Sequence, residues 1–254
     1  MKYSKFSMAF VGLLAASTAS FDAAAVPISF SGSSGSLSAN VSFDIVGTQL
    51  QVVLTNTSTA DVLVPTDALT AVFFDIAGDP ALTRDSAISG GPTYLGAINI
   101  SGAGTVVGGE WAYLNGLSQY GVNSGVSSVG LGIFGPGDRF PGSDLSPPDS
   151  PDGLQYGLAS AGDDQTTGNG GGGGVLGNEL TKNSVTFLLS GIGSLSLSDI
   201  SGVTFQYGTQ LNEPSFPGDG GPPSQELPEP GTLALLGLGL LGFGVSRRQR
   251  NKLA

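Results

Sequence analysis

The chain has 254 residues, nine of them basic and twenty acidic, and contains neither His nor Cys. Lack of His removes the Ser-His-Asp triad, His-ligated zinc and the commonest general base; lack of Cys leaves stability to a packed core alone. Between positions 26 and 230 only Arg84, Arg139 and Lys182 stand against nineteen acidic residues, a net charge of −16. A surface so acidic repels nucleic acid and anionic lipid headgroups, which excludes nucleic-acid binding.

At the start, Lys2 and Lys5 precede an apolar stretch from Phe6 to Ala16, and small residues follow up to Ala23-Ala24-Ala25. This is the three-part layout of a secretory signal peptide over 1–25, with Ala23 and Ala25 as the small residues of an Ala-x-Ala cleavage site. The apolar run is too short to cross a bilayer. From 26 to 211 the pattern is period two. Leu37, Ala39, Val41, Phe43 and Ile45 alternate with Ser38, Asn40, Ser42 and Asp44, Gly47-Thr48 makes a turn, and Leu50, Val52 and Leu54 resume the alternation. The stretch 37–54 therefore reads as a hairpin with one buried face. Further strands are expected at 69–76, 110–114, 128–134, 154–159, 184–190 and 200–207. No body segment shows a 3.6-residue apolar period over three turns. The expected fold is all-β, a β-sandwich of the jelly-roll or immunoglobulin-like kind.

Two stretches interrupt the strands. Residues 135–153 are rich in Pro, Gly and Asp and form a long loop; residues 161–174 end in five consecutive glycines, Gly170 to Gly174, and read as flexible. Residues 212–226, with Pro214, Pro217, Pro222 and Pro223, are expected to be an extended linker that holds the domain away from a membrane.

The last 28 residues, 227–254, have three parts: Pro228-Glu229-Pro230, an uncharged Leu/Gly run from Gly231 to Ser246, and a basic tail, 247–254, carrying Arg247, Arg248, Arg250 and Lys252. The run has 16 residues. As one transmembrane helix over 231–246 it would be about 24 Å long, slightly short of a ~30 Å hydrocarbon core, a gap that snorkelling Arg and Lys stems would close. The basic cluster acts as a stop-transfer signal on the cytoplasmic side, so together with the signal peptide it puts the acidic body outside. This order of tripeptide, apolar helix and Arg cluster resembles the PEP-CTERM sorting signal of exosortase-dependent bacterial surface proteins. The resemblance implies that Pro228, Glu229 and Pro230 are the recognition and processing site, that an exosortase-type protease is the partner, and that the envelope exports exopolysaccharide. A plain single-pass anchor, the competing reading, has no need of a Pro-Glu-Pro at that point. The words Phe-Gly-Pro-Gly-Asp-Arg-Phe (134–140), Pro-Asp-Gly-Leu-Gln-Tyr-Gly (151–157), Gly-Asp-Asp (162–164) and Phe-Gln-Tyr-Gly-Thr (205–209) also look like those of one exosortase-dependent surface-protein family, and imply no chemistry.

Catalytic motifs are few. Gly130-x-Gly132-x-x-Gly135 matches a dinucleotide fingerprint in letters, but Pro136-Gly137-Asp138 follows where a helix N-terminus is required. No Gly-x-Ser-x-Gly and no Gly-Lys-Ser/Thr occurs. Asp138, Asp144, Asp149 and Asp152 in one loop, with Asp163 and Asp164 in the next, supply the oxygen ligands calcium prefers, without the spacing of an EF-hand. Solvated loop carboxylates are the plainer explanation. Arg139, among these aspartates, is placed to pin the loop by a bidentate pair, and Arg84 and Lys182 read as surface or bracing residues. Trp111 and Tyr113 share one face of a strand, as core if buried and as a sugar-stacking platform if exposed; core is the favoured reading. The expected function is that of an exported, non-enzymatic cell-surface or extracellular-matrix protein, transiently anchored in the inner membrane and associated with exopolysaccharide. The alternatives are a calcium- or carbohydrate-binding module delivered by the same route and, last, a secreted hydrolase using paired carboxylates.

Overall fold

Side-chain alternation decides the first sheet. The computed structural model describes residues 26–170 and 174–221, and among them the chain opens with β1 (Ile28–Ser34), β2 (Leu37–Val46) and β3 (Gln49–Asn56) as an antiparallel meander. Register pairs Val41 with Leu54, Phe43 with Val52 and Ile45 with Leu50, so the apolar residues of the predicted hairpin stack on one face. Val41, Phe43, Leu50, Val52 and Leu54 are fully buried, while their polar alternates face outward.

The other strands are β4 (Leu69–Ile76), β5 (Thr83–Ser89), β6 (Thr93–Leu95), β7 (Ile98–Ser101), β8 (Ala112–Asn115), β9 (Ser124–Ser127), β10 (Gly157–Ala159) and β11 (Glu179–Lys182). They are followed by β12 (Ser184–Ser190), β13 (Ile200–Tyr207), β14 (Ser215–Pro217) and β15 (Asp219–Gly221). One sheet has six strands in the order β15-β1-β2-β3-β12-β5. The second has nine: a path β14-β13-β4-β10-β11-β6-β7, with β9 added on β4 and β8 on β9. Among the described residues all pairings between these strands are antiparallel except β10 with β11. The all-β expectation holds, and both sheets are open. Among the described residues the fifteen strands, with one parallel pair, outnumber the about seven to nine of an immunoglobulin domain and the about eight of a jelly roll.

The two sheets share one core. Phe43 on β2 meets Phe74 on β4 with ring centroids 5.0 Å apart, and Phe187 on β12 meets Trp111, just before β8, at 5.1 Å. Strand β4 is buried on both faces: Phe74 enters this core while Phe73 enters a second cluster with Val129, Leu131 and Phe134. Helical structure among the described residues consists of short 3-10 turns of three residues each.

Three sequence expectations need correction. Residues 128–134 are not a strand; the strand is β9 at 124–127, and the chain then turns, with Leu131 at φ 52° and Gly132 at φ 74°. Its apolar residues pack as a tight turn in which the amides of Ile133 and Phe134 both donate to Gly130. Likewise 154–159 contracts to β10, because Tyr156 adopts φ 59° and breaks the extended run. The third correction is the largest. The expected linker over 212–226 is part of the domain as far as 221. β14 pairs with β13, β15 pairs with β1, and Phe216 is buried against Phe205 and Tyr207 with ring centroids 5.8 and 5.6 Å apart. Pro214 and Pro217 suit this short edge, since a strand at a sheet border tolerates a residue with no amide proton. The expected signal peptide over 1–25 and the sorting tail over 227–254 lie outside the described residues.

Candidate functional sites in the acidic loops and the tail

The Pro/Gly/Asp loop over 135–153 is ordered, and a buried carboxylate holds it. Glu110 lies in the 3-10 turn Gly108–Glu110 with no solvent exposure. One of its oxygens accepts from the amides of Leu145 and, at 3.1 Å, Ser146; the other accepts from the Ser150 hydroxyl at 2.7 Å. Ser146 in turn donates to Glu179 at 3.0 Å. The preceding Gly108 and Gly109 make this approach sterically feasible: a Cβ on Gly109 would sit 1.9 Å from the Ser143 carbonyl oxygen. Burial raises the Glu110 carboxyl above its ordinary value, and the Asp144 charge adds to the rise, against the opposing hydrogen bonds. Tyr156 is pushed up to about 12 by burial and by the charges of Glu110 and Glu179.

Both body arginines clamp the same loop from its other side. Arg139 meets Asp144 at 3.0 Å and donates to the carbonyls of Pro136 at 3.2 Å and Gly109 at 3.4 Å. The pinning expected of Arg139 is present, as one contact to Asp144 plus two carbonyls and not as a bidentate pair. Arg84 donates to the Tyr113 carbonyl at 2.9 Å and the Gly137 carbonyl at 3.3 Å, with Asp138 at 3.9 Å.

The six aspartates proposed for calcium are placed apart in role. Asp138 accepts from the Gly135 amide and faces Arg84, Asp144 faces Arg139, and Asp149 is exposed. Asp152 has a buried carboxylate oxygen with no hydrogen-bond partner. Asp164 caps its own turn through Thr166, whose hydroxyl and amide hold its carboxyl below the ordinary value. Asp163 is buried and accepts from the Val62 amide at 2.7 Å and the Tyr94 hydroxyl at 2.5 Å. Lys182 donates to the Asp163 carbonyl at 2.7 Å and lies over the Tyr94 ring, 5.5 Å from its centroid. This network and the bond from Asn169 to Leu63 tie down the described part of the loop expected to be flexible, over 161–170. Among the described residues no three acidic side chains converge as a metal site would require. Trp111 and Tyr113 are core residues, with no face free for a sugar ring.

Glu110 and the Tyr94–Asp163–Lys182 group carry the local chemistry; sequence reasoning assigned Glu110 no role and named Asp163 for calcium, while Lys182 is bracing as expected. Glu110 offered one signal, a lone acid between two glycines and the apolar run Trp111–Tyr113.

The tail is decided by comparison. A family model described as the PEP-CTERM protein-sorting motif matches residues 226–248, which span Pro228-Glu229-Pro230, the Leu/Gly run and the first two arginines. The chain carries a PEP-CTERM sorting motif. A PEP-CTERM motif indicates exosortase-dependent sorting of an exported protein, anchored in the membrane before processing and then carried to the cell surface. No curated protein and no solved structure matches the chain. Among the described residues no helix is long and apolar enough to cross a membrane; the PEP-CTERM segment itself lies outside them.

Proposed function

We propose that the protein is a non-enzymatic cell-surface or extracellular-matrix component whose β body is delivered by the tail. An exosortase-type protease in the inner membrane recognises Pro228, Glu229 and Pro230, the apolar run 231–246 holds the chain until cleavage, and Arg247, Arg248, Arg250 and Lys252 keep the last residues on the cytoplasmic side. The matured body then works outside, among exopolysaccharide. The observation that carries this reading is the match of the sorting motif at 226–248, at the end of a chain whose first 25 residues have the layout of a signal peptide. The body suits such a role: two open sheets around one aromatic core, with short strands at several borders and a strongly acidic surface that favours solubility. Strands β14 and β15 carry the domain at least as far as 221, so at most the six residues 222–227 separate it from the tripeptide, a span of no more than about 20 Å even if fully extended. That is a short tether, which keeps the folded body close to the membrane while the protease acts.

The deciding measurement is the mass of the C-terminal peptide of the surface form, in normal cells and in cells lacking the sorting protease. The expected surface form ends near Pro228-Glu229-Pro230 in normal cells, and the full-length chain accumulates in membranes without the protease. An intact Ala254 on the surface form would overturn the reading.

A further inference from the structure

Between the border of one sheet and the border of the other lies an open recess of about 360 Å³. Thr83 and Arg84 from the start of β5 line one side, Tyr113 (almost fully buried, its carbonyl bound by Arg84) and Asn115 from β8 another, and Arg139 and Pro141 from the acidic loop a third, with Leu82 completing the wall. Two of the three cationic side chains between 26 and 230 therefore face the same recess, in a body with nineteen acidic residues. No carboxylate is among its lining residues, although Asp138 lies 3.9 Å from the Arg84 guanidinium and Asp144 3.0 Å from that of Arg139.

Loop bracing accounts for part of what the two arginines do, and donor bookkeeping shows what it leaves. A guanidinium has five N–H donors in a planar fork. Arg84 uses both terminal nitrogens on carbonyls, and Arg139 uses Nε and one terminal nitrogen. Among the described residues neither Arg84 Nε nor Arg139 Nη2 has a protein acceptor. Both stems are held in place by the carbonyls they do bind, so the remaining donors are preorganised at little further entropic cost.

We propose that this recess binds a small carboxylate-bearing, hydroxyl-rich ligand of the sugar-acid class. The carboxylate takes the spare guanidinium donors, where charge-assisted bonds are strongest. Asn115 and Thr83 offer amide and hydroxyl groups to the ligand's hydroxyls, and Leu82 and Pro141 give its ring an apolar wall. The volume admits one pyranose-sized residue. The surrounding acidic surface selects against a polyanion, whose further charges would meet carboxylates beyond the rim, and so favours a single sugar acid or the end residue of a chain. This inference is independent of how the chain is sorted.

Calorimetric titration of the full chain in detergent with glucuronate, glucose and acetate tests it, paired with arginine footprinting by phenylglyoxal on the unaltered protein. Glucuronate is expected to bind at least about tenfold more tightly than glucose or acetate, and more weakly as salt rises. It is expected to protect Arg84 and Arg139 from modification while Arg247 and Arg248 react as before. Asn115→Ala, whose side chain braces nothing among the described residues, is expected to weaken glucuronate by about threefold to tenfold without altering the fold. No heat and no protection at about 20 mM glucuronate, or equal effects from glucose or from acetate, would overturn the proposal.

Discussion

At the residue scale, the buried Glu110 sets an unusual balance. Its three donors satisfy the ionised form, yet burial dominates and its carboxyl is raised. A group whose folded value lies above its unfolded one favours the folded state most when protonated. Its contribution is complete below the unfolded value, near 4.5, and is lost as pH rises through the folded value. Ionised Glu110 therefore costs stability toward neutral pH. Glu110→Gln keeps an acceptor for the Leu145 and Ser146 amides, and Ser150 turns its hydroxyl to accept from the new amide. We expect the Gln variant to be at least as stable as the parent at pH 7 and to lose the decline above pH 4.5, as read by thermal unfolding across pH. Glu110→Ala is different, because it strands two amides and a hydroxyl inside the protein. That variant is expected to lose about 2–4 kcal/mol and to expose the 142–150 amides to hydrogen exchange.

At the scale of elements, the late strands β14 and β15 carry the domain past 211, at least as far as 221. They bridge the borders of the two sheets, β14 on β13 and β15 on β1, and carry Phe216 into the core. Removing everything after 211 would uncover the faces of Phe205 and Tyr207. Denaturant unfolding of chains ending at 211 and at 221 is expected to differ by several kcal/mol, with Phe216→Ala accounting for about 3–5 kcal/mol of it. Equal midpoints would mean that 212–221 is a linker after all. The sequence does not show these strands because three residues cannot display a period, and Pro and Gly there look like spacer composition. The same limit hides β6 and β7, of three and four residues. Where a strand is long and one face is buried, as in 37–54, 184–190 and 200–207, the alternation is plain and the boundaries follow it closely. At 128–134 apolar spacing misleads, because positive φ at Leu131 and Gly132 curls the chain while burying the same residues. The Glu110 clamp is invisible for another reason: its partners come 35, 36 and 40 residues later, and only the folded chain brings them together.

At the scale of the whole molecule, the charges fall into three zones: two lysines at the start, an acidic body, and an Arg/Lys cluster at the end. Any chain with such an apolar run and basic terminus would adopt the same orientation, acidic body outside and arginines inside, so topology alone does not separate a sorting signal from an anchor. What separates them is the chemistry at Pro228-Glu229-Pro230. By sequence, two prolines flanking one residue disfavour helix there, and in the proposed topology this carboxylate-bearing stretch would be extended at the outer membrane face. Replacing Pro228-Glu229-Pro230 by three alanines keeps the apolar run and the arginines, and removes the prolines that disfavour helix there. Membrane insertion should be unchanged, since neither the hydrophobic length nor the basic flank has been weakened. Processing should stop, leaving the body in the inner-membrane fraction with Ala254 attached and depleting it from the cell surface. The milder Glu229→Gln separates the two contributions, because it retains both prolines and removes only the charge. If cleavage reads the extended backbone, this variant matures normally; if it reads the carboxylate, the variant accumulates uncut. Fractionation followed by mass analysis of the C-terminal peptide distinguishes these outcomes, and normal maturation of the triple-alanine chain would show that the tripeptide is not the determinant.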